Sequence, residues 1–109
     1  MATIDLERLT GDGKVHNLSG RERGLAARRM YHLDEIEKSD EPVDVIVPEY
    51  IYSLTPSFFQ GFFGETVRAR GYDAASFKRR FRFKAPDIVL QQLDRGLAAI
   101  LTNRDFGLL

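Results

Sequence analysis

Apolar residues recur along this chain at two spacings, one helical and one extended. Phe58, Phe59, Phe62, Phe63 and Val67 fall three and four apart and predict one broad apolar helix face. Val89, Leu93, Leu97 and Ile100 form a second stripe of the same period. Ala26, Met30, Leu33 and Ile36 or Glu37 form a third, between residues 20 and 38. Punctuation agrees with these helices. Thr55 stands as an N-cap before Pro56 at the first helical position, and Gly71 stops the helix after Arg70. Pro86-Asp87 opens the last helix, which is expected to run to about Asn103. Ser19 and Glu22 have the spacing of a capping box, and Ser39-Asp40-Glu41-Pro42 breaks the helix that follows them.

The extended spacing predicts strands. Val-Asp-Val-Ile-Val at 43–47 ends in three consecutive apolar residues, the pattern of a central strand covered on both faces. Phe-Arg-Phe-Lys at 81–84 alternates, so Phe81 and Phe83 are expected inward and Arg80, Arg82 and Lys84 outward. Residues 2–6 suit an edge strand. The turn signal Thr10-Gly11-Asp12-Gly13 predicts a hairpin whose second arm is 14–18. Residues 72–80 read as a loop or a short helical turn, and 104–109 as a tail that docks or frays. The order β-(β)-α-β-α-β-α predicts an α/β protein with a small mixed sheet of about four strands and three helices packed on it. All 109 residues form one domain, with its core at about 13–103. Gly61 and Gly64 each cost a helix roughly 1 kcal/mol against Ala, so they are expected to mark close backbone packing.

Composition narrows the chemistry. With no cysteine, disulfides, Cys-zinc and iron–sulfur sites and thiol nucleophiles are excluded. His16 and His32 have no distinctive metal-ligand spacing, so no metal is expected. The glycines at 11 and 13 lie too close for a phosphate-binding loop, and Val15 follows Lys14; a turn is the better reading, and no cofactor is expected. None of Ser19, Ser39, Ser53, Ser57 and Ser76 sits in a Gly-x-Ser-x-Gly elbow. The chain therefore does not read as an enzyme. Asp5 and Glu7 near the start and the absence of a long apolar run predict neither signal peptide nor membrane span, and a cytoplasmic location.

The net charge is zero, but the charges are segregated. Asp34, Glu35, Glu37, Asp40, Glu41, Asp44 and Glu49 stand against Lys38 alone. Arg68, Arg70, Lys78, Arg79, Arg80, Arg82 and Lys84 stand against Glu65 and Asp73. Opposed poles of this kind suit partner steering or a homo-oligomer built head to tail. The basic group, with Glu49, is read as a docking surface for a protein partner. The alternative is a nucleic-acid-binding module on the 78–84 face, where cations alternate with aromatics. Inward phenylalanines and a balanced net charge argue against it.

The stretch Val-Asp-Val-Ile-Val, a short link and Ser-Leu-Thr-Pro-Ser-Phe-Phe-Gln-Gly-Phe-Phe-Gly resembles the core of the STAS-like domain family, relatives of the STAS domains of anti-sigma factor antagonists. Ser57-Phe58 and Phe63-Gly64 carry the resemblance, supported by Gly20-Arg-Glu-Arg-Gly24 upstream; it spans about 13–103. It implies a non-enzymatic regulatory module whose partner is a protein, such as a kinase-like ATPase. In the antagonists a serine of an Asp-Ser-Ser-Gly loop is phosphorylated. Here Leu54-Thr55-Pro56-Ser57 occupies that place, so the resemblance implies Ser57, then Thr55, as phosphoacceptor or anion site. Family members carry Asp-Phe where Val47-Pro48 stand; Glu49 is the acid nearest that place.

Overall fold

The computed structural model describes residues 2–11 and 13–106. Among these described residues five strands and five α-helices follow in the order β1 (Ala2–Asp5), β2 (Asn17–Leu18), α1 (Arg21–Met30), α2 (Leu33–Ile36), β3 (Val43–Ile46), β4 (Ser53–Leu54), α3 (Pro56–Arg70), α4 (Ala74–Arg80), β5 (Phe81–Lys84) and α5 (Asp87–Phe106), with a 3₁₀ turn at Leu6–Leu9. The α/β class is as expected, but the sheet is not one four-stranded mixed sheet with three helices. It divides into a three-stranded sheet, β1-β3-β5, and a two-stranded ribbon, β2-β4. Every pairing is parallel.

The expected hairpin is absent because the first arm is taken. β1 pairs with β3, aligning Ile4 with Val45. Asp5 then accepts the Glu7 N–H and starts the 3₁₀ turn, so the chain leaves the sheet at once. Gly11 and Gly13 do turn the chain, at φ 58° and 86°, while Asp12 lies outside the described residues. The second arm finds β4 instead, 36 residues on in the Asn17–Ser53 register. The Gln92 side chain of α5 accepts the Leu54 N–H at 2.6 Å and holds that ribbon to the helical layer.

β3 is central, but it is covered on one face only. Val43, Val45 and Val47 are buried with Ile4 and Phe81, whereas Asp44 and Ile46 are half-buried. On the other face Thr3, Arg82 and Lys84 are exposed. Helix α3 packs between α1 and α5. Its four phenylalanines at 58, 59, 62 and 63 are each 1% exposed. The α5 stripe is also as predicted, with Val89, Leu93, Leu97 and Ile100 buried. Helix α3 has the predicted ends: Thr55 caps Phe58 N–H, and Gly71 leaves at φ 63°. Helix α5 runs through Arg104–Phe106, three residues beyond the expected end; the rest of the tail, 107–109, lies outside the described residues.

The first helical region differs in three respects. It breaks at His32, which adopts the left-handed conformation at φ 55°. Its cap is Gly20, without a side-chain bond, rather than Ser19. Its buried face is Gly24, Ala27 and Arg28, while Ala26 and Met30 are exposed. Glycine contact sets that rotation. A Cβ on Gly24 would lie 2.2 Å from the Phe58 carbonyl oxygen, and one on Gly61 would lie 2.2 Å from that of Arg21. Gly61 is thus a close-packing point as expected. Gly64 instead faces the guanidinium of Arg68 in its own helix. Residues 74–80 form a full helix, started by a reciprocal Asp73–Ser76 capping box that the sequence reading passed over.

Candidate functional site

Parallel sheets place ligand crevices beyond the carboxyl ends of their strands. Here that region is a groove of about 600 Å³ lined by Ile46, Val47, Pro48, Glu49, Lys84, Ala85 and Pro86. Glu49 and Lys84 are its charged groups. Neither Thr55 nor Ser57 lines it. Two charged groups on mostly apolar walls do not make an acid–base pair set against a nucleophile. Among the described residues no group of three or more His, Asp and Glu side chains is placed to hold a metal.

At the α3 start, the structure separates the two hydroxyl candidates. The Thr55 Oγ1 accepts the Phe58 N–H at 3.3 Å and the Gly20 N–H at 3.4 Å. It also shares a 3.1 Å hydrogen bond with Ser57 Oγ. Thr55 is half-buried and structural. Ser57 is exposed, and no acidic residue occupies the first turn of α3. The first helical N–H groups and the helix dipole therefore meet no carboxylate of that turn. Thr55→Ala is expected to cost about 1 kcal/mol. Ser57→Ala should change stability by less than about 0.5 kcal/mol, and Ser57→Asp should raise it by about 0.3–1 kcal/mol. Urea unfolding of the three variants checks this order.

The basic and acidic segments meet inside the molecule. Parallel pairing sets Arg82 beside Asp44, at 3.1 Å, and Lys84 reaches the same carboxylate at 3.6 Å. Arg70 pairs with Asp40 and donates to the Glu37 carbonyl at 3.0 Å. The Arg70 guanidinium is raised in pKa by hydrogen bonding to Tyr72 and then Asp40. Lys78 pairs with Asp94. Arg68 and Arg79 are exposed. Arg80 does not belong to the basic face at all. It ends α4 rather than continuing the strand alternation, is 6% exposed, and donates to the carbonyls of Glu41 and Ile36 and to Tyr72 Oη. Apart from Arg68, which lines none of them, the remaining residues of the expected docking surface spread over three grooves. Arg70 and Arg79 line one, Lys78 and Arg82 another, and Glu49 and Lys84 the groove at the strand ends.

Sequence reading missed Arg28. Its side chain is 7% exposed and holds α1, α2 and α3 together. It donates to the Phe62 carbonyl at 3.2 Å, Thr66 Oγ1 at 2.8 Å, Asp34 at 2.9 Å and Glu37 at 2.6 Å. Thr66 in turn donates to Glu37. Burial opposes the charge of Arg28, but bonding to Glu37 and Asp34 outweighs it and raises the pKa. Acids six and nine residues downstream of an arginine were the available signal. Two other perturbed groups also have structural causes. Burial pushes the Tyr31 phenol, bonded to the Asp5 carbonyl, up to about 12. Hydrogen bonds from Ser76 lower the Asp73 carboxyl. None of the perturbed groups lines the groove at the strand ends.

No helix among the described residues is long and apolar enough to cross a membrane. No family model, curated protein or solved structure matches the chain.

Proposed function

We propose that the chain is a non-enzymatic regulatory module that docks a protein partner and is switched by phosphate at Ser57. The observation that carries this reading is the division of labour at the α3 start: Thr55 is held in the cap, while Ser57 is exposed on the first turn. A phosphate there adds up to two negative charges where the helix dipole favours an anion. The STAS-like pattern at Ser57-Phe58 and Phe63-Gly64 supports the same residue, and makes a kinase-like ATPase the partner class to try first. Nucleic acid is the weaker reading, because Arg80 is buried and Lys78, Arg82 and Lys84 all have carboxylate partners. Phosphopeptide mapping of the protein isolated from its host tests the assignment. Phosphate is expected on Ser57; phosphate on Thr55 instead, or on neither, overturns it.

A further inference from the structure

Between α1 and the 9–18 segment lies an apolar pocket, and we propose that it binds a small monocarboxylate with a hydrocarbon tail of about ten carbon atoms.

The pocket follows from the rotation of α1. Contact between Gly24 and Gly61 fixes the face of α1 that meets α3. Ala26 and Met30 fit the apolar period, yet that contact turns them out of the core. Met30 is left 42% exposed, one of three large hydrophobic residues in that state among the described residues. The two side chains do not lie on a flat surface. They line a pocket of about 270 Å³ whose inner side is closed by the buried Leu18, Ala27 and Phe58. Apolar surface that stays uncovered in a concave site is what separates a ligand pocket from scattered surface hydrophobics. Methionine suits the mouth of such a site, because its flexible thioether adapts to what enters.

Arg23 specifies the polar end of the ligand. Among the described residues it is the one charged group that lines the pocket. Arg28, Arg70 and Arg82 all hold carboxylates. Arg23 is exposed and holds none among the described residues. A guanidinium offers two parallel donors that match a carboxylate, and one such group balances one negative charge. A phosphate monoester carries up to about two, which a single arginine leaves half balanced. Volume sets the tail. An apolar cavity of about 150 Å³ holds benzene, so about 270 Å³ takes about ten carbon atoms at the same ratio.

Isothermal titration calorimetry with decanoate, kept below its micelle range, tests the proposal. Saturable binding is expected with a Kd below about 1 mM, weakened about tenfold for octanoate, which loses two buried methylenes. Decylammonium should bind about tenfold or more weaker than decanoate. Arg23→Gln, at an exposed position, should remove that preference. Ala26→Phe, which fills the mouth, should abolish decanoate binding. Should that variant fail to fold, Met30→Glu, which sets a carboxylate at the mouth, is expected to weaken decanoate about tenfold. No saturation by about 1 mM, equal binding of the two charge forms, or binding untouched by Arg23→Gln overturns the proposal. A self-association that Ile88→Ser abolishes, with no decanoate bound, also overturns it. The pocket would then belong to a second copy, whose exposed Ile88 has the exposed Asp87 beside it. The titration reads no phosphate, so its failure leaves the Ser57 assignment standing, and the converse holds.

Discussion

Phe63→Ala is expected to lower the unfolding free energy by about 3–5 kcal/mol, the range for emptying a well-packed aromatic site. Phe63 is the ring through which α3, α4 and β5 meet. Its centroid lies 4.4 Å from Phe62, 5.3 Å from Phe59 and Phe77, 5.1 Å from Phe81 and 5.8 Å from Phe83. These contacts come from the helix, the following short helix and the strand, so no single element can collapse to fill the space. Equilibrium urea unfolding measures the effect. A loss below about 1 kcal/mol would mean that the site closes on itself and that the aromatic cluster is not the centre of the core.

Gly61→Ala is expected to cost about 3 kcal/mol, the upper end of the range for overpacking. The added methyl group meets the Arg21 carbonyl oxygen and the Leu25 amide, which are backbone and cannot rotate away. Gly24→Ala meets the Phe58 carbonyl and the Phe62 amide from the other side. Both substitutions push α1 and α3 apart along the same line. The double variant should therefore lose less than the sum of the singles, because the second methyl enters a gap the first has opened. Additive losses in a urea-unfolding cycle would contradict a shared contact.

The difference between these two sites explains what the sequence made legible. The phenylalanine face, the α5 stripe and the two ends of α3 follow local rules: period, N-cap, proline and C-terminal glycine within a few residues of one another. The two-residue strands β2 and β4 carry no such signal. Their pairing is chosen by where β1 and α3 leave the chain, so a local turn motif was read as a hairpin that β3 had already pre-empted. The rotation of α1 was misread for a similar reason. Ala26 and Met30 fit the period, but the Gly24–Gly61 contact is long-range and overrides it. Arg80 is expected at the surface, and Arg28 goes unremarked, because arginine is seldom buried without partners. Their partners come from three separate segments and from backbone carbonyls, which no local pattern reveals. At the α3 start, the cap could be read, but the unequal roles of Thr55 and Ser57 required the Gly20 amide, brought in from 35 residues away.

The most direct measurement of the account is quantitative retention of host proteins on immobilised wild type, Ser57→Ala and Ser57→Asp, at matched stability. The account predicts a common partner held by wild type and Ser57→Ala and released at least about tenfold by Ser57→Asp, because the added charge stands in for the proposed switching phosphate at the α3 start. Equal retention by all three proteins would contradict it and leave Ser57 as an ordinary residue of a helix start.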